Sequence, residues 1–150
     1  MKRTVLAILV TVVVAGFASS ALAQSGPYQY FPLTPCRAVD TRGALGTNGG
    51  PILNTATTRD FQMRGLCGVP TSAKAVSLNV TITQPTAQSF LTIWPSNLLR
   101  PNVSMINFVA ADPSLANGVV VGVSTNPQDL SVYNSFGNVH VIIDITGYFQ

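Results

Sequence analysis

The stretch "AVSLNVTIT", residues 75–83, decides the fold class, because its apolar and polar side chains alternate. In an extended chain, successive side chains point to opposite faces, so Val76, Leu78, Val80 and Ile82 share one face. The Ser, Asn and Thr residues between them share the other. This pattern is typical of a strand with one buried face.

A second stretch, "VHVIIDIT" at residues 139–146, repeats the pattern near the end of the chain. Four aliphatic residues share one face, and His140, Asp144 and Thr146 lie on the other together with Ile142. Because Ile142 is apolar, we expect this second face to be partly covered. Shorter strands are predicted at Tyr28–Leu33, Arg37–Thr41, Thr58–Arg64, Ser89–Trp94, Val103–Val109, Gly118–Ser124 and Asp129–Tyr133.

Turn signals rich in Gly, Pro and Asn separate these strands at intervals of roughly 8 to 12 residues, the spacing of a β-sandwich or barrel. The sequence therefore predicts one all-β domain over residues 24–150, with eight or nine mainly antiparallel strands. We expect a single β-sandwich, jelly-roll-like or immunoglobulin-like, with its first and last strands close together. Residues 43–57 are predicted to form a long loop and Pro113–Asn117 a helical turn. Asp129–Tyr133 and Val139–Thr146 are predicted to form a hairpin.

The first 23 residues have the features of a secretory signal peptide. Lys2 and Arg3 precede an apolar run, and Ala21-Leu22-Ala23 fits the small-x-small cleavage rule. We expect cleavage after Ala23 and a protein that is secreted, periplasmic or at the cell surface, without a membrane anchor. An uncleaved anchor is the alternative, although the run is short for a membrane span of roughly 20 residues.

Charge is scarce throughout the chain. Charged residues make up 9% of it, and glutamate is absent. With Lys2 and Arg3 removed, six basic residues face five acidic ones, so no basic stripe remains to bind nucleic acid. A surface with so little charge repulsion favours binding to other surfaces or to further copies of the same chain.

Cys36 and Cys67 are the only cysteines, and in an exported protein an even pair predicts a disulfide. Two free thiols are the alternative.

The first cysteine belongs to "PLTPCRAVDTRG", residues 32–43, where charge is concentrated. Asp40 and Arg42 are two positions apart, so they point the same way on an extended segment and can pair. The arginines can also reach Asp144 on a neighbouring strand. We expect Arg37, Asp40, Arg42 and Asp144 to form a structural ion-pair cluster. The alternative is that Arg37 and Arg42 hold a small anionic or sugar ligand.

Aromatic residues supply the other candidate ligand contact. Trp94 stands before a proline at the end of a predicted strand, where an exposed ring can stack on a sugar. The terminal aromatics, Tyr28, Tyr30, Phe31, Tyr148 and Phe149, are expected to pack against one another and close the fold.

No catalytic, cofactor or metal site is predicted. His140 and Asp144 are roughly 13 Å apart along one strand, too far for a hydrogen bond, and no G-x-S-x-G, C-x-x-C or H-E-x-x-H motif is present. A glycan hydrolase built on scattered aspartates is the less favoured alternative.

Three segments, "YFPLTPCRAVDTRG", "CGVPTSAKAVSLNVTIT" and "HVIIDITGYF", resemble a recurrent domain of secreted bacterial proteins. The resemblance implies bacterial export and a β-rich domain, and it carries no activity or catalytic residue. Both cysteines lie within the resembling segments, which supports their pairing. We therefore expect an exported, non-enzymatic module that binds a polysaccharide or another cell-surface or matrix component. The alternative is a subunit that self-associates into a surface layer or fibre.

Overall fold

The computed structural model describes residues 27–150, which form eight β-strands and no helix. The predicted signal peptide, residues 1–23, lies outside the described residues. None of the described residues belongs to a helix that could cross a membrane. The strands are β1 Tyr30–Asp40, β2 Thr57–Phe61, β3 Ala75–Thr83, β4 Ser89–Pro95, β5 Ile106–Phe108, β6 Ser114–Gly122, β7 Leu130–Asn134 and β8 His140–Phe149.

The strands form two four-stranded antiparallel sheets, in the orders β1-β8-β3-β6 and β2-β7-β4-β5. The pairing is nested along the chain: β1 pairs with β8, β2 with β7, β3 with β6, and β4 with β5. The β3–β8 and β4–β7 pairs complete the two sheets. The prediction of an all-β, antiparallel domain with about eight strands is therefore confirmed.

The alternation that decided the fold class sets the burial of the central strands. Val76, Val80 and Ile82 of β3 are fully buried, and Leu78 is 2% exposed. In β8, Val141, Ile143 and Ile145 are fully buried, and Ile142 on the opposite face is 6% exposed, as predicted. Buried residues of both sheets join one hydrophobic core. The core thereby fixes the positions of the strand ends and of the loops that carry polar side chains.

The predicted hairpin between the last two strands is wrong. β7 lies between β2 and β4, whereas β8 lies between β1 and β3 in the other sheet. Residues 135–139 therefore carry the chain from one sheet to the other. The local sequence predicts a strand, a turn and a second strand, but it does not specify that these two strands pair with each other. Each strand has an apolar face that a strand other than its neighbour in sequence can cover.

The predicted helical turn at Pro113–Asn117 is also wrong, because β6 begins at Ser114 and pairs along its whole length with β3. The two predicted strands Tyr28–Leu33 and Arg37–Thr41 are one strand, β1, with a register shift between Pro32 and Cys36. A proline has no amide hydrogen to donate, which accounts for such an irregularity in an edge strand.

The two chain ends meet as predicted, because β1 pairs with β8. The rings of Tyr30 and Phe149 are 5.1 Å apart, and those of Phe31 and Tyr148 stack at 5.0 Å. The long loop predicted at residues 43–57 is present and ends where β2 begins at Thr57. It is anchored by Leu53, which is fully buried and bridged to Val139.

Candidate ligand-binding groove

A groove of about 520 Å³ lies at one end of the second sheet. The start of β4, the short strand β5 and the loops after β5 and β7 meet there. Its lining combines aromatic rings, Phe90 and Phe136, with the polar side chains of Gln88, Asn107 and Asp112. A volume between 300 and 1,000 Å³ with apolar walls and a few polar groups is typical of small-molecule sites.

Phe136 is the most exposed aromatic side chain of this groove, at 62%. It lies in the loop of residues 135–138, and two buried side chains at the ends of β4 and β7 fix that loop. Asn134 donates through Nδ2 to the carbonyls of Phe136 and Gly137, at 3.2 and 2.9 Å. The hydroxyl of Ser89 donates to Asn134 Oδ1 at 2.8 Å and accepts from the backbone N–H of Phe136 at 2.9 Å.

The conformation of the loop also requires glycine at position 137. Gly137 has φ of +60°, and a Cβ there would lie 2.7 Å from the Cβ of Ala87. Thr86 holds the next residue, because its Oγ1 accepts from the backbone N–H of Asn138 at 2.8 Å. The ring of Phe136 is therefore carried by a backbone held from both sides, and such a backbone is preorganised for binding.

The polar wall of the groove comes from β5 and the turn after it. Asn107 is exposed and is the cross-strand neighbour of Phe90. Asp112 closes the turn by accepting from the backbone N–H of Val109 through Oδ2 at 2.8 Å. Phe90 also approaches Tyr133, with ring centroids 6.2 Å apart, and the guanidinium of Arg100 covers the Tyr133 ring at 4.0 Å.

Trp94 does not provide the expected exposed platform. It is 7% exposed, and its Nε1–H donates to the carbonyl of Leu98 at 3.0 Å. The loop after β4 folds back over the ring, which sequence spacing does not reveal. Trp94 is therefore a packing residue, and the prediction that it contacts ligand through an exposed face is corrected.

The structure brings the four charged residues of the predicted cluster together on one surface. Arg37 pairs with Asp144 across β1 and β8, with Nε–Oδ1 and Nη2–Oδ2 distances of 2.9 and 3.3 Å. Arg42 pairs with Asp40 through the same two atoms at 2.8 and 2.6 Å. Arg37 Nη1 lies 3.7 Å from Asp40 Oδ2 and links the two pairs. The cluster carries no net charge, and each arginine directs one edge of its fork at a carboxylate.

The environment of Asp40 favours its charged form. The hydrogen bonds donated by the Arg42 side chain are the main reason that the pKa of Asp40 falls from 3.8 to about 2. The backbone N–H of Arg42 adds a third hydrogen bond, to Oδ1 at 3.1 Å. The same pairing raises the pKa of Arg42, and pairing with Asp144 raises that of Arg37.

Cys36 and Cys67 form a disulfide, with Cα atoms 5.7 Å apart. The bond joins β1 to the loop between β2 and β3. Cys67 has φ of +54° and is followed by Gly68 at +85°, so the chain turns sharply at the bond. The cluster of Arg37, Asp40, Arg42 and Asp144 begins one residue after Cys36. The disulfide and the ion pairs therefore both hold the start of the domain in place.

His140 contacts no carboxylate among the described residues. Its Nδ1 lies 3.1 Å from the hydroxyl of Thr41, which also accepts from the backbone N–H of Val141 at 2.8 Å. This arrangement joins β8 to the end of β1. Within residues 27–150, no group of three or more His, Cys, Asp or Glu side chains is placed to hold a metal ion.

Two polar centres of the structure were not predicted from the sequence. Asp129 is fully buried and accepts from Arg64 Nε at 2.5 Å and from the backbone N–H groups of Met63 and Arg64 at 2.6 and 2.7 Å. Asn134, also fully buried, fixes the groove loop. Asp129 bonds residues 65 and 66 positions away, and Asn134 bonds Ser89, 45 positions away, and its own loop, so periodicity carries no signal for them. The one signal for Phe136 was a bulky ring within Ser-Phe-Gly-Asn, a turn-forming segment.

The chain matches no protein-family model, and none of the curated proteins compared with it matches.

Proposed function

We propose that the two sheets form a β-sandwich of the jelly-roll type. The nested pairing supports this assignment, since a jelly roll is a double sheet of eight strands built from two Greek keys. An immunoglobulin-like sandwich pairs several strands that are consecutive along the chain. In this chain, β4 and β5 are the one such pair among the eight strands.

We propose that the protein is an exported, non-enzymatic module that binds polysaccharide at or near the cell surface. The observation that carries this proposal is the groove, which is lined by Phe90 and Phe136 together with Gln88, Asn107 and Asp112. A sugar ring has an apolar face of C–H groups and an edge of hydroxyl groups. Aromatic rings contact the apolar face, while amide and carboxylate groups exchange hydrogen bonds with the hydroxyls.

The low charge of the chain supports a neutral ligand. Asp112 is the sole charged side chain that lines the groove, so an anionic polymer finds no counter-charge there. The disulfide, the signal-peptide features and the resemblance to secreted bacterial domains support export and a location outside the cytoplasm. Under this proposal Asn134 and Thr86 hold the 135–138 loop and so position the ring of Phe136, and they do not contact the sugar themselves.

We propose a structural role for the cluster of Arg37, Asp40, Arg42 and Asp144. Both guanidinium forks already face carboxylates, so an anionic ligand would have to displace Asp40 or Asp144. The cluster lies on β1 and β8 in the first sheet, whereas the groove lies at an end of the second. Arg42→Ala is therefore a variant expected to change stability and to leave polysaccharide binding intact.

A binding screen with defined mutants tests the groove. The exported protein is measured by calorimetry and affinity electrophoresis against neutral polysaccharides and purified bacterial cell walls. Phe136→Ala should weaken the binding at least roughly tenfold, about 1.4 kcal/mol, and Asn107→Ala should also weaken it. Leu99→Ala is the control, because Leu99 is 94% exposed on a different loop.

The proposal fails if no polysaccharide binds, or if Phe136→Ala and Leu99→Ala bind equally well. Release of reducing sugar by the purified protein, lost in Asp112→Asn, would instead support the hydrolase alternative. Near-ultraviolet circular dichroism of each variant checks that the fold is retained.

A further inference from the structure

The four edges of the two sheets differ sharply in how they are protected against pairing with another chain. β1 carries Pro32, Pro35 and the charged Arg37, and β2 has five residues that include Arg59 and Asp60. β5 has three residues. Prolines, charges and short length are the devices by which proteins block edge-to-edge association.

β6 has none of these devices. It extends over nine residues, Ser114–Gly122, with the sequence SLANGVVVG, which contains neither a proline nor a charged residue. The absence of charge continues on both sides, through residues 113–128. An edge strand of this length and composition is a template for a further strand.

Some side chains of β6 are also open to a partner on each face, whereas Val121 is buried. Val120 on the outer face is 58% exposed, and Ala116, four residues earlier on the same face, is also exposed. Leu115 points to the core side, opposite Ile82, yet it is 39% exposed. Pairing of β6 with another strand would cover apolar surface on both faces of the sheet.

We propose that β6 pairs antiparallel with β6 of a second copy of this chain, about a two-fold axis at Gly118. The pairing joins two four-stranded sheets into one sheet of eight strands. Alternate residues of an antiparallel strand direct their backbone N–H and C=O groups outward, so two copies must pair residues of equal parity. Centring on Gly118 satisfies this condition.

The register places apolar residues opposite one another. Leu115 lies opposite Val121 of the second copy on the core side, and Ala116 lies opposite Val120 on the outer side. Cross-strand apolar pairs stabilise a sheet, and like charges placed opposite one another would destabilise it. No charged side chain of β6 enters this contact.

The dimer should be concentration-dependent. A single strand edge is narrower than a standard interface, which buries about 1,600 Å². A symmetric contact of this kind is isologous and closes at two copies, so it predicts a dimer and not a fibre.

Sedimentation velocity of the exported protein over a wide concentration range tests the association. The wild-type protein should shift from monomer to dimer as its concentration rises. Val120→Lys places two charges at the contact and should raise the dissociation constant at least tenfold, while Leu99→Lys, a matched change on an exposed loop, should leave it unchanged. A wild-type monomer at every concentration overturns the proposal, as does equal weakening by the two variants.

A cross-linking variant locates the contact without relying on the lysine substitution. A Cβ built on Gly118 meets no atom closer than the Leu78 carbonyl oxygen at 4.0 Å, so Gly118→Cys should fold. Its thiol should lie beside the same thiol of the second copy and form covalent dimers with a short thiol cross-linker. Leu99→Cys is the control. If the wild-type protein forms dimers but Gly118→Cys cross-links no faster than Leu99→Cys, the contact lies elsewhere and the proposal is overturned.

Discussion

The side-chain nitrogen of Asn134, a fully buried residue, lies 2.9 Å from the carbonyl oxygen of Gly137. Through this bond the end of β7 fixes the loop that carries Phe136 into the groove. The same amide contacts Ser89 at the start of β4, so two neighbouring strands share one buried polar centre. The exposed ring thus depends on a side chain that no ligand reaches.

Replacing Asn134 by Ala should therefore affect both stability and the groove. The change removes the acceptor of the Ser89 hydroxyl proton and the side-chain donor to several carbonyls, and each unsatisfied buried group costs about 1–3 kcal/mol. We expect a loss of at least about 2 kcal/mol in the free energy of unfolding, measured by urea denaturation. Asn79→Ala is the control, since the side chain of Asn79 makes one long contact at 3.5 Å to Thr81. Similar losses in both variants would contradict the role of Asn134.

Replacing Gly137 by Ala tests the loop by another route. The positive φ and the 2.7 Å approach to Ala87 leave no space for a Cβ, so the backbone must shift. We expect a cost of about 1–3 kcal/mol in thermal or chemical unfolding. Gly46→Ala, in the 43–57 loop, is the control because no atom lies within 4 Å of the added Cβ. If Gly137→Ala is as stable as Gly46→Ala, the loop is not held as described.

The strands of the core could be predicted from sequence because one physical rule governs them. In β3 and β8, burial on one face forces alternation, and alternation can be read directly from residues 75–83 and 139–146. Partner choice follows no such local rule. The short spacing between β7 and β8 favoured a hairpin, yet the two strands bury their apolar faces from opposite sheets.

The site residues divide in the same way. Arg37, Asp40 and Arg42 are close in sequence, so their proximity could be foreseen, and Arg37 meets Asp144 because β1 pairs with β8. Trp94 was misassigned because the covering residue, Leu98, lies in a loop whose path the sequence does not specify. The groove was missed for the same reason, since three separate loops and strand ends form it.

Removing the disulfide should lower the free energy of unfolding, because the unfolded chain without the bond has a higher conformational entropy. The bond links positions 31 residues apart, and loop-closure entropy assigns such a link about 3–4 kcal/mol. The Cys36→Ala, Cys67→Ala double variant should lose about this amount in chemical unfolding. Wild-type protein treated with reductant provides the comparison. Mass spectrometry should find neither cysteine alkylated before reduction, and labelling of both would contradict the bond.

Arg59 should hold the backbone of the 43–57 loop in a single ordered conformation. Its guanidinium donates to the carbonyl oxygens of Pro51, Gly50 and Gly46, the last two at 3.3 and 3.2 Å, and burial lowers its pKa. Arg59→Ala should increase amide hydrogen exchange across residues 43–57, and Arg59→Lys should restore little of the protection, because an ammonium lacks the planar fork. Arg100→Ala, which alters a cation–π contact elsewhere, is the control. Unchanged hydrogen exchange in Arg59→Ala would mean that the loop keeps its conformation without the hydrogen bonds of Arg59.

The pairing of Asp40 with Arg42 predicts a specific loss of stability in acid. The folded pKa of Asp40, about 2, is below its ordinary value of 3.8, so the folded state favours the charged carboxylate. The stabilisation is therefore fully present well above pH 3.8 and is lost as the pH falls from there through about 2. Asp40→Asn lacks this contribution, so the difference in melting temperature between wild-type protein and Asp40→Asn should be constant above about pH 5 and shrink between pH 4 and 2. In the Arg42→Ala background the same difference should be smaller at every pH, because that change removes the main hydrogen-bond donor to the Asp40 carboxylate. Added salt should weaken the effect by screening. A difference that stays constant down to pH 2 would show that Asp40 gains nothing from its arginines in the folded state.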